Sequence, residues 1–172
     1  MKKHTPFKTP RLKGFDYSTP GCYFITICTL NRQHFLGIIE DSKMSLSAIG
    51  VIVKEELELT EKIRSNIEID TYVIMPDHVH ILIWITDGKG KLMPHFQTLP
   101  QTPSYQASFG MPTNKLGATI NKFKGAVTRR SRQAGYESFG WQKKYHDRIV
   151  RNEWEYQHIK NYILTNPERW KK

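Results

Sequence analysis

Residues 72–85 read YVIMPDHVHILIWI, and this stretch decides the predicted fold. The runs before and after Pro76 and Asp77 are rich in β-branched and aromatic residues, as strands are, and a Pro-Asp pair favours a turn. We therefore predict a β-hairpin that turns at these two residues. Because side chains alternate on a strand, His78 and His80 should share one face, while Val79 and its alternate neighbours face the core.

The segments around this hairpin predict further strands and helices in one α+β domain. The other predicted elements are a strand, an extended piece with a turn, a helix, a second helix, a short strand and a last helix, at residues 21–30, 35–47, 47–64, 114–133, 141–150 and 152–166. Ser47 and Asn152 can cap the first and last helices, with Glu155 completing a variant capping box and Pro167 ending the last helix. Helices combined with a small antiparallel sheet are typical of the α+β class.

The first two helices carry apolar stripes that predict their buried faces. For the first helix the predicted stripe is Ile49, Ile52, Leu59 and Ile63. For the second helix it is Leu116, Ile120, Phe123 and Val127. Both stripes have the spacing of residues that lie on one side of an α-helix.

Residues 86–114 interrupt the pattern of strands and helices. Four of the nine prolines of the chain lie here, together with Gly, Ser, Thr and Gln. Such a composition predicts a flexible loop. We interpret the segment as an insertion within a single domain that spans residues 1–172, because neither side alone has enough elements to bury a core.

The charge of the chain is +10 and is unevenly distributed. Residues 1–30 carry five Lys or Arg against one acid, residues 31–114 seven against ten, and residues 115–172 fourteen against five. Clustered positive charge indicates a surface for a polyanion, most often nucleic acid; a solvated basic face is the alternative. The candidate DNA contacts are Lys122, Lys124, Arg129, Arg130, Arg132, Lys143, Lys144, Arg148 and Arg151.

Two features predict a cytoplasmic protein that has no membrane partner. The apolar run near the histidines is shorter than the roughly 20 residues of a bilayer span, and the first residues are basic and polar. Cys22 and Cys28 would lie roughly 20 Å apart on a strand, too far for a disulfide, so both should be reduced.

The two histidines of the hairpin are candidate metal ligands. At positions i and i+2 of a strand, His78 and His80 lie about 6.6 Å apart along the chain, and both rings can tilt onto one divalent cation. Two histidines on the open face of a sheet are the alternative, since this spacing alone is not specific. A metal would also need further ligands.

A tyrosine of the last predicted helix is a candidate nucleophile. Tyr162 and Asn166 are four residues apart and should share a face with His158. The separate apolar stripe of this helix is formed by Tyr156, Ile159 and Ile163. A phenol, with an ordinary pKa of about 10, can attack phosphorus if a cation stabilises its phenolate. A partly buried packing tyrosine is the alternative.

Four motifs resemble those of a known family, and they occur along the chain in the order that the family has. MPDHVHILI resembles the His-hydrophobic-His (HUH) motif of the single-tyrosine transposases, and YILTNPERW resembles their tyrosine helix. RLKGFDYSTPGCYFITICTLNR and YHDRIVRNEWEY resemble the REP-associated tyrosine transposase branch in particular. The resemblance covers residues 11–170, and residues 86–114 depart from it.

The resemblance implies a ferredoxin-like antiparallel sheet with helices packed on one face. It implies an enzyme that nicks and rejoins single-stranded or hairpin DNA with Mg²⁺ or Mn²⁺. His78, His80 and Asn166 would be metal ligands, and Tyr162 would form a 5′-phosphotyrosine and release a 3′-OH. Asn166 departs from the glutamine of the insertion-sequence relatives, and its shorter amide can bind metal more weakly. The REP-associated branch favours a monomer with Tyr162 acting in cis; a dimer that exchanges tyrosine helices is the alternative.

Two other functions remain open from the sequence. The same scaffold could be a module that binds a DNA hairpin with weak or lost catalysis. A zinc hydrolase could instead use His78 and His80 with His95 or His146, although a proline-rich loop is a poor platform for His95.

Overall fold

The computed structural model describes residues 19–86, Phe96 and residues 115–170 of the chain. Within these residues, short 3₁₀ turns lie at Leu30–Arg32 and Pro167–Arg169. The strands and α-helices, in chain order, are β1 (Gly21–Cys28), β2 (Gly37–Glu40), β3 (Lys43–Leu46), α1 (Ala48–Lys62), β4 (Ile67–Met75), β5 (His78–Ile85), α2 (Lys115–Gln133), β6 (His146–Val150) and α3 (Glu153–Leu164).

The main sheet has the order β4-β5-β1-β6, and every neighbouring pair is antiparallel. Between β1 and β4 the chain forms the separate two-stranded sheet β2-β3 and then α1, and between β5 and β6 it forms α2. Without the small sheet, this is the β-α-β-β-α-β arrangement of ferredoxin-like folds. The α+β class and the antiparallel sheet predicted from the sequence are confirmed. The predicted hairpin is also confirmed, with β4 and β5 joined at Pro76 and Asp77.

The helices lie on both faces of this sheet. Apolar residues of α1 and the apolar stripe of α2 pack with Val79, Ile81 and the alternate residues of β1 in one core. Helix α3 contributes Ile163 to a separate apolar cluster with Leu82 on the opposite face. The expectation that helices pack on one face therefore holds for α1 and α2 but not for α3. The reason is that Leu82 and its neighbours leave apolar surface on the second face, and α3 buries it.

The predicted apolar stripe of α1 is wrong in its second half. Ile49 is buried, but Leu59 is 44% exposed and Ile63 is 66% exposed. A β-carbon at Gly50 would lie 2.1 Å from the carbonyl oxygen of Leu36, so the helix approaches this backbone as only glycine permits. This contact fixes the rotation of the helix. The buried residues that follow are Val53, Glu56, Leu57 and Thr60.

The other helix predictions agree with the structure more closely. The α2 stripe is buried as predicted. Ser47 accepts a hydrogen bond from the backbone of Gly50 and caps α1, and Asn152 accepts one from the backbone of Glu155 and caps α3. The carboxylate of Glu155 accepts from the Arg151 backbone, a variant of the capping box. Helix α3 ends at Leu164, earlier than predicted.

Some predictions concern residues that the structure does not describe. The insertion predicted at residues 86–114 lies outside the described residues except for its first residue and Phe96, which packs against Trp84 and Tyr156.

Cys22 and Cys28 are both free and buried, as predicted. In the part of the chain that the structure describes, no helix is both long and apolar enough to span a bilayer.

Candidate active site

The two histidines of β5 face each other on the α3 side of the sheet. Their Nε2 atoms lie 3.1 Å apart, and each residue is only 6% exposed. The other ring nitrogens are occupied by neighbours: Nδ1 of His78 lies 2.5 Å from Oδ1 of Asp77, and Nδ1 of His80 lies 2.8 Å from Oγ1 of Thr26. These contacts fix both rings and direct both Nε2 atoms to the same point, as contacts behind metal ligands do.

The surroundings of the pair favour a neutral imidazole at His80. Burial, together with the nearby His78 and Arg32, lowers the pKa of His80 to about 3. Burial opposes ionisation of Asp77, but the hydrogen bond and charge of His78 and the charge of Arg32 outweigh it, so the pKa of Asp77 is lowered. Asp77 contacts Nδ1 of His78, so Nε2 is the ring nitrogen of His78 that faces His80. Neutral imidazole nitrogens are the form that binds metals.

The donor atoms fit a divalent cation. Two nitrogens bound at about 2.1 Å and at right angles to one octahedral ion lie about 3.0 Å apart, close to the 3.1 Å between the two Nε2 atoms. Asn166 lines the same cleft and can offer an amide oxygen. Hard cations accept such mixed nitrogen and oxygen donors.

The described residues hold no cluster of three His, Cys, Asp or Glu side chains that would bind a metal. His146 lines the cleft but does not form such a cluster with the histidine pair, and His95 lies outside the described residues. The histidine combination proposed for a zinc hydrolase with His146 therefore has no support in the geometry.

Tyr162 lies beside the histidine pair. Its hydroxyl is 3.3 Å from Nε2 of His80, and its ring is 5.2 Å from the His80 ring. Phe24 of β1 packs edge-on against the tyrosine ring at 6.2 Å. Helix α3 thus brings a 38% exposed phenol to the point at which both imidazoles are directed. His158, one turn earlier on the same face of α3, stacks on Trp154 at 4.1 Å and is not among the residues that line the cleft.

The two nearest tyrosines in the sequence are engaged elsewhere. The hydroxyl of Tyr156 donates a 2.9 Å hydrogen bond to Asp70 of β4 and accepts one from Lys160. Tyr145 packs against the core on the opposite face of the sheet. Of these tyrosines, Tyr162 alone lines the cleft that holds the histidines.

Asn166 reaches the cleft from beyond the end of α3. We expected it on the same helix as Tyr162, but the helix ends at Leu164 and Asn166 precedes the 3₁₀ turn Pro167–Arg169. Its backbone keeps helical angles (φ −60°, ψ −43°), which holds the residue near the side of the chain that carries Tyr162. Asn166 is 7% exposed.

These residues line one cleft of about 630 Å³. Arg32, Arg169 and Trp170 line it as well, and sequence reasoning missed all three. Nothing in the local pattern distinguishes Arg32 from other basic residues. Its position depends on a contact with Asp77, which lies far away in the chain.

Arg32 has an unusual backbone and two side-chain partners. Asn31 (φ 52°) and Arg32 (φ 57°) are both left-handed, at a cost of roughly 1–3 kcal/mol each for residues other than glycine. Nε of Arg32 lies 3.2 Å from Oδ2 of Asp77, and Nη1 donates to Sγ of Cys28 at 3.1 Å. Asp77 therefore contacts His78 with one oxygen and Arg32 with the other.

The predicted DNA contacts differ in their surroundings. Those on α2 belong to a helix that packs on the face opposite the cleft. Among them, Arg130 pairs with Glu55 and Glu56 of α1, and Nζ of Lys124 donates to the backbone of Gln142 and Lys143.

Other predicted contacts lie nearer the cleft. Lys143 and Lys144 are exposed and lie between Gln142 and His146, which both line it. Arg148 pairs with Glu155. The nine predicted contacts stay predictions.

Comparisons with known proteins place the chain among similar molecules. An uncharacterized protein of Haemophilus influenzae is 34% identical over 165 residues, 93% of this chain and 87% of that protein. The structure of the REP-associated tyrosine transposase bound to a REP hairpin has a TM-score of 0.53 and 18% identity, over 87% of this chain and 67% of that one. A candidate transposase of Deinococcus radiodurans has a TM-score of 0.48 and 18% identity over 95% of this chain. No family model matches the chain.

Proposed function

Because the chain belongs to one family with the Haemophilus influenzae protein and has the fold of the REP-associated tyrosine transposase, we propose a transposase-like enzyme that cuts and rejoins single-stranded DNA. Tyr162 is its nucleophile and forms a 5′-phosphotyrosine. His78, His80 and Asn166 hold a divalent cation, Mg²⁺ or Mn²⁺.

One observation carries this proposal: a cleft-facing phenol lies 3.3 Å from one of two imidazole nitrogens that are directed at each other. A packing tyrosine needs no such neighbours, and two surface histidines need no partners behind both rings. These contacts support a role for Tyr162 as a nucleophile that acts beside a bound cation.

In the proposed reaction, Tyr162 supplies the attacking oxygen and the cation supplies positive charge. The cation, when bound, supplies positive charge that stabilises the phenolate and the negative charge that grows on the phosphate. The Tyr162 oxygen attacks the phosphorus after its proton leaves to solvent, and the bond between phosphorus and the 3′ oxygen breaks. The departing 3′ oxygen takes a proton from water and becomes a 3′-OH. Attack by a 3′-OH on the phosphotyrosine reverses these steps and rejoins DNA.

The proposed substrate is DNA with a hairpin or a palindromic repeat. One structural neighbour of this chain is bound to a REP hairpin, and the net charge of +10 favours a polyanion. The proposal includes a monomer with Tyr162 acting in cis. It is supported by the packing of α3 on its own sheet, where Tyr156 and Lys160 both bond to Asp70 at 2.9 and 3.1 Å.

The test is a search for a covalent adduct. The DNA segment downstream of the cut keeps the 5′-phosphate, so a hairpin-bearing single strand labelled at its 3′ end should become attached to the protein. We expect a labelled protein band on a denaturing gel with Mn²⁺, none with EDTA, and phosphate on Tyr162 after peptide mapping. Hairpin binding without any adduct would instead favour the binding module, and phosphate on another tyrosine would overturn the choice of nucleophile.

A further inference from the structure

Arg32 stands out among the cleft residues because two contacts hold its guanidinium in place while other N–H donors of the group stay available. An arginine side chain carries five N–H donors. In the described residues, Nε is directed to Asp77 and Nη1 donates one bond to Cys28, while no protein acceptor contacts Nη2. The side chain is 52% exposed and lines the cleft with Tyr162.

We propose that Arg32 binds the scissile phosphate, with its remaining N–H groups donating to the non-bridging oxygens. This role rests on the proposed function and adds a substrate-binding residue to it. Arginine suits the task because its planar fork can donate two parallel bonds to a phosphate. No bond to Arg32 forms or breaks; it stabilises charge on the phosphate while Tyr162 attacks and the 3′ oxygen leaves.

The backbone around Arg32 supports a binding role more than a purely structural one. Asn31 and Arg32 are held in left-handed conformations by the preceding residues: the Thr29 backbone donates to Asp77 at 2.9 Å, and the Leu30 backbone donates to Gly140 at 2.8 Å. Left-handed backbone conformations are strained in residues other than glycine, and such strain is more common at binding sites than elsewhere.

Arg32 also brings positive charge to the cleft beside a buried carboxylate. Oδ1 of Asp77 lies 2.5 Å from Nδ1 of His78, and Oδ2 of Asp77 lies 3.2 Å from Nε of Arg32. Arg32 therefore contacts this carboxylate with one edge of its guanidinium and directs its remaining donors to the cleft that it lines with Tyr162.

The experiment compares two substrates that differ at one position. One strand carries the normal phosphodiester at the mapped cleavage site, and the other carries a neutral methylphosphonate there. Cleavage rates of wild type, Arg32→Ala and Arg32→Lys are measured under single turnover with Mn²⁺. Arg64→Ala serves as the matched control, because it removes the same charge from the end of α1, which packs on the opposite face of the sheet.

We expect Arg32→Ala to cleave the phosphodiester about 100-fold more slowly, as when one donor to a developing negative charge is removed. On the methylphosphonate its deficit should shrink to a few-fold, because the charge that Arg32 contacts is gone. Arg32→Lys should fall between wild type and Arg32→Ala, and Arg64→Ala should match wild type on both strands.

The outcomes separate this inference from the function on which it rests. If Arg32→Ala slowed cleavage of both strands equally, Arg32 would act only by stabilising the structure. This inference would then be overturned, but the proposed function would stand. A wild-type rate for Arg32→Ala would show that cleavage does not need this side chain, and it would overturn the inference as well. If wild type forms no adduct, the proposed function and this inference fail together.

Discussion

The two faces of strand β5 have different roles. Val79, Ile81 and Ile83 are at most 1% exposed and pack with apolar residues of α1 and α2 in the main core. His78 and His80, one residue out of phase, are almost as buried, but each has a polar partner at Nδ1. Burial by itself therefore does not separate core from site. The difference is whether a buried side chain has a polar neighbour that fixes its orientation.

The same contrast recurs along α3, on the site face of the sheet. Ile163 is fully buried beside Leu82, while Tyr162, the next residue back, opens into the cleft. One helix thus covers apolar surface and presents a reactive group, so a substitution on one side should spare the other. The following substitutions test that separation, from the largest expected effect to the smallest.

Tyr162→Phe should abolish the covalent adduct completely. The change removes only the hydroxyl that lies 3.3 Å from His80 and keeps the ring that packs on Phe24, so folding and DNA binding should stay near wild type. The 3′-labelled gel assay and circular dichroism measure the two properties. Tyr156→Phe is the matched control and should retain the adduct; an adduct that persists in Tyr162→Phe would identify a different nucleophile.

His78→Ala or His80→Ala should reduce metal-dependent cleavage by more than about 100-fold. Even residues behind a metal ligand typically contribute 10–100-fold, and these residues are the proposed ligands themselves. Most DNA affinity should remain, because phosphate contacts come mainly from other residues. Cleavage titrated with Mn²⁺, alongside fluorescence anisotropy, measures both; a normal rate in either variant would remove the metal site from this face.

Ile81→Ala should destabilise the fold by about 2–5 kcal/mol, because it leaves a cavity in the core on the other face of β5. His80→Ala should cost less, because its ring lines the cleft, where water can fill the space it leaves, and its one hydrogen bond to Thr26 is worth about 1 kcal/mol. Urea denaturation of both variants measures the difference. Equal losses would mean that the site face is as important to stability as the core face.

The smallest effect concerns the salt dependence of DNA binding. Replacing Lys143 and Lys144 together by Gln should flatten the plot of log affinity against log salt by roughly 1.4 if each contacts one phosphate of a single strand. The pair Arg129→Gln and Arg132→Gln on α2, which packs on the far face, should change the slope less. A larger change from the α2 pair would place the DNA path along that helix, as the charge pattern alone predicted.

Much of the fold could be predicted because the signals are local. The alternation of side chains predicted which face of β5 holds the histidines. Ser47 and Asn152 cap α1 and α3 as predicted. The half of the α1 stripe that failed depended on a distant contact, since Gly50 docks on the Leu36 carbonyl. Periodicity gives the faces of a helix but not the rotation that packing selects.

The sequence by itself determined the class of fold, the two strand faces and the residue types from which a metal site and a nucleophile could be built. Only the tertiary structure decided that α3 crosses to the second face and brings Tyr162 to His80, and that Arg32 meets Asp77 behind His78. The physical reason is range. Side-chain alternation and capping act within a few residues, whereas these contacts join residues far apart in the chain and depend on which apolar surfaces are left to bury.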